Sequence, residues 1–382
     1  MHIILHDLQN HLRFAPLTLT RPVGNLRTGM FTNDERWRFY CPDAIISYHT
    51  EDYLAEKFPV EMSSDNFWVN AAVIPTESLV KKIRGLKFNE SLFVNDSFVA
   101  YRGADFKPDE NKVEASESLI LLENRWDLFQ KNHEILVADF QAYTKGKTSE
   151  PLSSTNTLIG DEKNLFIEQG AHVECAILNV TEGPIYIGKD AEIMEGSAVR
   201  GGLAMAENSV LKLLTKVYGA TSLGPHSKVG GEVNNVIFQG YSNKGHDGFL
   251  GNSLIGEWCN LGADTNCSNL KNNYGKVRTY DYEKQEEIET NLQFMGVVMG
   301  DFSKTSINTM LNTATVIGVS ATIFCAGFPP KYVPNFSWGG QSNSPTFDFD
   351  KALEAANNMM VRRGVRLTNS EEKMLRYLFQ TK

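Results

Sequence analysis

From residue 187 onward, large apolar residues recur at every sixth position: Ile187, Ile193, Val199, Met205, Leu211, Val217, Leu223 and Val229. The spacing resumes at Ile255, Leu261 and Cys267, and again at Met299, Leu311, Ile317 and Ile323, with Thr305 the one polar member. Two places before most of these stands a small residue, such as Ala191, Ser197, Ser209, Thr215, Thr221, Ser227, Ser253, Thr265, Thr309, Thr315 and Ala321. A period of six matches neither the α-helix nor the alternation of a strand. It matches a coil of three short flat sides. Each side supplies one large inward residue, and a small residue lets the backbone turn each corner, as in hexapeptide β-helices. A β-sandwich would instead show alternation with turn signals at intervals of about 8–12 residues. Residues 235–252 and 270–294 interrupt the period and are expected to leave the coil as loops, which in solenoids often carry binding residues.

The first 150 residues have another rhythm. "HIILHDL", "AIISYH", "NFWVNAAVIP", "SLFVNDSFVAYR" and "SLILLE" have the β-branched and aromatic content of strands. "TESLVKKIRGLK" predicts a helix opened by Thr76, and "RWDLFQKNHEILVADFQAYT" a longer amphipathic one. Alternating strands and helices predict an α/β domain over 1–150 with a largely parallel sheet. The polar stretch 144–157 reads as a linker, the β-helix occupies 157–340, and 345–382 forms terminal helices that cap or brace it.

Composition narrows the function. A hydrophobic content of 42% with 22% charged residues is that of a soluble globular protein. The net charge of −9 argues against nucleic acid or an anionic membrane as the main partner. The five cysteines are scattered without a CxxC pair, so neither a disulfide framework nor a metal site is expected. With no signal-like start and no membrane-length apolar run, a cytoplasmic location is expected.

The candidate chemistry centres on "NKGHDGFLGNS", residues 243–253. A lone histidine in a glycine-rich turn is more often a polar turn residue than a catalyst. Its surroundings alter that balance. Gly245-His246 is followed by Phe249, Leu250-Gly251, hexads at Ile255 and Leu261, Asn269, and Lys276-Val277-Arg278-Thr279. In this order the chain resembles the acetyltransferase half of the bifunctional GlmU enzymes. With "LTRP", "GGEV" and "NLGADTN" it is similar to the Bacteroidetes-type GlmU-like family over nearly its whole length.

The resemblance implies a left-handed coil, acetyl-CoA as co-substrate, an amino-sugar phosphate as acceptor and a homotrimer. It implies His246 as general base, because an ammonium group has no lone pair to attack a thioester and imidazole can take its proton near neutral pH. Glu232 stands where the family keeps a glutamate that orients the histidine, with Asp247 as the competing orienter. Lys276 is the first candidate for the sugar phosphate, with Lys216 and Lys244 behind it. Asn269 would hydrogen-bond the sugar and Phe249 pack on its face, although the GlmU pattern has a tyrosine there. Ser306 and Cys325 match positions near the thioester.

"HDLQNHLRFAPLTLTRPV" resembles the opening of sugar nucleotidyltransferases in keeping Arg13, Pro16-Leu17-Thr18 and Pro22. The phosphate-loop glycines are gone. His11 stands where one would be, Val23 replaces a lysine, Asp7 would repel a triphosphate, and Ala71-Ala72 replace the acid that would hold Mg²⁺. Arg13 and Arg21 remain as candidate nucleotide contacts, helped by Arg27, and Mg²⁺ is expected only if this half is active. The expected activity is acetyl transfer from acetyl-CoA to a hexosamine 1-phosphate, glucosamine 1-phosphate first, in UDP-N-acetylglucosamine synthesis. The rivals are an acyltransferase for another amino sugar, an active UDP-N-acetylglucosamine pyrophosphorylase whose β-helix serves assembly, and a non-catalytic sugar-nucleotide-binding protein.

Overall fold

The computed structural model describes residues 1–108, 111–116 and 118–381. Contacts divide them into two units. One joins Met1–Leu26 to Phe31–Arg125, and the other joins Arg27–Met30 to the chain from Trp126 onward.

The first unit holds a six-stranded sheet of β1 (His2–His6), β2 (Ile45–His49), β3 (Asn66–Asn70), β4 (Glu90–Val94), β5 (Ser97–Gly103) and β6 (Lys112–Glu114). The strand order is β2-β1-β3-β5-β4-β6. β1 runs parallel to β2 and β3, and β6 to β4, while β5 is antiparallel to both neighbours. The sheet is therefore mixed, where a largely parallel one was expected. The difference lies in "SLFVNDSFVAYR", which folds as a hairpin. Asn95 and Asp96 have φ of 50° and 63°, and two left-handed residues make the tight turn whose twist suits paired strands. "SLILLE" provides one bridge, Val73 to Leu121, and no strand. Helix α1 (Asn33–Tyr40) opens with a Thr32–Glu35 capping box, and in α2 (Glu77–Arg84) Thr76 accepts the Leu79 N–H as its sequence implied.

In the second unit, the stretch expected as one long helix is two, α3 (Asp127–Gln130) and α4 (Asn132–Thr144). The buried Asn132 explains the break. Its amide donates to Ala220 O at 2.8 Å and accepts from Gly29 N at 2.6 Å, partners outside the helix. The segment Arg27–Met30 is tied to the coil in the same way, with Arg27 N donating to Gln239 Oε1 at 2.8 Å.

The chain then winds into a left-handed parallel β-helix. Ile187, Met205 and Leu223 stand in register on successive strands, so three hexads make one coil. The inward residues form one continuous buried cluster from Leu165 to Val333. The small residues have a more specific role than expected. The left-handed backbone falls one residue earlier, at Asp190, Asn208, Leu214 and His226 among others. The small residue then closes the turn. Ser209 Oγ donates to Ala206 O at 2.7 Å, Thr215 Oγ1 to Lys212 O at 2.6 Å, and Thr265 Oγ1 to Gly262 O at 2.8 Å.

Residues 235–252 do not leave the coil, contrary to expectation. The strands Glu232–Gly240, Asn243–Lys244 and Phe249–Glu257 continue its three faces. The period is lost because the coil is shorter here: Lys228 pairs with Asn243, three residues sooner than the Val210–Lys228 step would place it. Residues 270–294 do depart, and carry the antiparallel hairpin Arg278–Asp281 with Glu286–Glu289.

Helices α5 (Phe349–Val361) and α6 (Asn369–Gln380) brace the coil. Phe336 meets Phe349 and Phe379 at ring distances of 6.0 and 5.2 Å, and Arg363 Nη2 donates to Asn243 Oδ1 at 3.1 Å. Among the described residues no helix is long and apolar enough to cross a membrane.

Candidate functional site

The register places Lys244 beside Val229, at an inward position of the coil that elsewhere takes an aliphatic side chain. Lys244 is 1% exposed. A buried ammonium must find acceptors, and its Nζ donates to Gly230 O and His246 O, both at 2.9 Å. Burial lowers its pKa to about 8, partly opposed by the charges of Asp247 and Asp264. Lys244 therefore holds the backbone of His246 in place and does not face outward to a sugar phosphate, as had been expected.

Two glycines complete this support. A Cβ on Gly231, whose φ is +75°, would lie 2.9 Å from Asp247 Cα and 3.0 Å from His246 O. A Cβ on Gly248, with φ +116°, would lie 2.3 Å from Thr265 O. The glycines of "GGEV" and "HDG" thus allow neighbouring coils to close around the His246 corner.

His246 itself is exposed, and its ring has no hydrogen-bond or ion-pair partner among the described residues. It lines a groove of about 860 Å³ between the coil and the end of α5. Lys212, Lys228, Lys304, Arg362 and Arg363 line the same groove together with Asn243, Asn260 and Asn358, and among the described residues no acidic one is in its walls. The sequence reading missed this basic wall. Its members are dispersed along the chain and converge only through the register of the coil and the return of α5.

Glu232, Lys216, Phe249 and Asn269 lie past the corner at Gly248, where Glu232 is in register with Lys216 and Phe249. The Glu232 carboxylate accepts from Tyr218 OH at 2.7 Å and pairs with Lys216 at 3.6 Å. Burial, followed by that carboxylate, pushes the Tyr218 phenol up to about 12. Neither Glu232 nor Asp247 bonds the His246 ring. Phe249 is in register with Glu232, and Asn269 Nδ2 donates to Asn252 Oδ1 at 2.7 Å. A Cβ on Gly251 would lie 2.6 Å from Asn269 Nδ2 and 2.7 Å from the Phe249 ring, so this glycine lets the two side chains converge. Asn252 joins them without having been singled out in the sequence. Lys276, on the departing segment, donates to Asn291 Oδ1 at 2.7 Å and lies 3.7 Å from Glu289. Ser306 Oγ lies 3.3 Å from Thr309 Oγ1, next to Ile307 of the groove, and Cys325 is half-buried.

In the first unit the loop after β1 has no glycine at its left-handed positions. Leu8 and Gln9 carry φ of 51° and 63°, each a costly state for a residue with a Cβ, on the order of 1–3 kcal/mol. Asp7 is buried and clamps the loop. It accepts from Val23 N at 3.0 Å and Thr50 Oγ1 at 2.6 Å, so its charge serves the loop and is not turned toward a ligand. His11 is buried against Tyr53 OH at 3.0 Å, and Arg21 is buried too. Asn33 Nδ2 donates to Ala71 O and Val73 O, both at 2.8 Å, and Ala71-Ala72 offer no carboxylate to a cation. These residues do not fit Mg²⁺, and among the described residues no group of three or more His, Cys, Asp or Glu could hold a metal ion. Arg27, assigned to the second unit, is committed to Gln239 and Met30.

The family model for sugar nucleotidyl transferases matches residues 3–148. No curated protein matches the chain. The chain thus combines a region similar to sugar nucleotidyl transferases with a left-handed β-helix, an architecture of nucleotidyltransferase and acyltransferase type.

Proposed function

We propose that the protein transfers the acetyl group of acetyl-CoA to the amine of a hexosamine 1-phosphate, glucosamine 1-phosphate first. The amine nitrogen forms the new bond to the thioester carbonyl carbon, the carbon–sulfur bond breaks, and CoA leaves as a thiolate that the His246 imidazolium protonates to the thiol. His246 takes the proton that the nitrogen must lose. The observation that carries this reading is an exposed imidazole without a partner among the described residues, held by its own backbone in a groove lined by cations. Such a groove suits two anionic substrates in a protein of net charge −9. Lys276 would meet the sugar phosphate, Asn269 and Phe249 the sugar, and Ser306 and Cys325 the acyl donor.

Within one chain these residues stand on both sides of the Gly248 corner, and the reading is completed by a homotrimer whose clefts bring copies of both faces together. The coil has apolar surface for such contacts: Leu214 is 72% exposed and Ile307 67%. Light scattering is expected to give a trimer, and a fully active monomer would remove the shared cleft. The activity is tested by incubating the full chain with acetyl-CoA and a panel of amino-sugar phosphates while following free thiol. Release of thiol dependent on one acceptor is expected. Binding of sugar nucleotide without any thiol release would favour a non-catalytic binding protein.

A further inference from the structure

The chain from Met359 to Arg363, where α5 ends, turns two adjacent arginines toward the coil. Cations are common at helix C-termini, where they offset the carbonyl dipole, so Arg362 and Arg363 alone would mean little. Their company is what matters. Lys212 and Lys228 come from successive coils of one face, and Lys304 from a coil further along. Among the described residues the side chains of Lys212, Lys228 and Arg362 have no hydrogen-bond or ion-pair partner. Burial, then the charges of Arg363 and Lys212, lower the pKa of Lys228, with Glu192 the opposing carboxylate. Burial and Arg362 lower that of Arg363, with Tyr241 opposing. Cations that share a cavity and repel one another are stabilised by an anion between them.

We propose that Arg362 and Arg363, with Lys212 and Lys228, form a clamp for the diphosphate of a nucleotide-type ligand lying in the groove beside His246. A planar guanidinium binds phosphate oxygens in pairs, and two arginines next to two lysines match the several charges of a phosphoanhydride better than those of a single phosphate. The clamp rests on the acetyl-transfer reading only in part, because a diphosphate occurs both in coenzyme A and in a sugar nucleotide.

The test is calorimetric titration of the full chain with coenzyme A, UDP-N-acetylglucosamine and inorganic pyrophosphate. Binding of pyrophosphate and of one nucleotide is expected, with affinity falling about tenfold or more in Arg362→Gln/Arg363→Gln and steeply with salt. Lys228→Gln, on the coil surface, is the second variant should the arginine pair disturb α5, and it is expected to weaken binding as well. Coenzyme A as the bound nucleotide makes the clamp part of the acyl-donor site. UDP-N-acetylglucosamine alone leaves the clamp standing and removes the acetyl-transfer reading. Wild-type affinity in the folded variants, or no binding of any of the three ligands, overturns the proposal.

Discussion

His246→Ala is expected to lower acetyl transfer by roughly 100-fold or more while leaving the fold and oligomer unchanged. The size reflects the contribution of a positioned base when the nucleophile is protonated at working pH. The preserved fold is a matter of geometry. The ring is exposed and has no partner to lose among the described residues, whereas the corner is held by Lys244 Nζ on the His246 carbonyl, which alanine retains. Its crowding against Gly231 likewise involves backbone atoms. Free-thiol release at saturating acetyl-CoA, alongside thermal melting, checks both parts. A variant that turns over at nearly the wild-type rate at neutral pH would take His246 out of the mechanism.

Incubation with UTP, Mg²⁺ and N-acetylglucosamine 1-phosphate is expected to release pyrophosphate only at background. Nucleotidyl transfer brings a triphosphate against a sugar phosphate, so the protein must neutralise charge. Losing even one preorganised donor of that kind costs about 10²–10³ in rate in well-studied enzymes. Here several such parts are missing together. The loop after β1 has Leu8 and Gln9 in left-handed backbone, where glycine would let backbone N–H groups approach an anion without a Cβ. Asp7 is engaged in clamping the loop, and Ala71-Ala72 supply no carboxylate at the place of a metal-holding acid. Robust release that disappears in Arg21→Ala would show a rearranged working site and overturn this expectation.

The hexad period was legible because the rule behind it is local: one inward residue per side, repeated. The Thr76 cap was legible for the same reason, since donor and acceptor are three residues apart. The hairpin in "SLFVNDSFVAYR" went unread because Asn95 and Asp96 sit inside an otherwise continuous apolar and aromatic run. The candidate site was legible in its residues and not in its arrangement. His246, Phe249 and Asn269 could be named from the spacing of a motif, but the partner of Asn269 is Asn252, and that of Glu232 is Tyr218 on the preceding coil.

By itself the sequence determined that a three-sided coil would succeed an α/β unit and where the candidate chemistry would concentrate. Only the tertiary structure decided that residues 235–252 stay in the coil and that Lys244 points inward. A period-six pattern fails when one coil is shorter, and a lysine reads as surface unless backbone carbonyls converge on its ammonium. The basic groove was likewise a tertiary outcome. Lys212, Lys228 and Lys304 share a face only through parallel register, and Arg362 and Arg363 join them only because α5 packs back on the coil. Local spacing encodes which way a side chain points within a repeat. Charges assembled from distant segments depend on long-range packing, which no local period records.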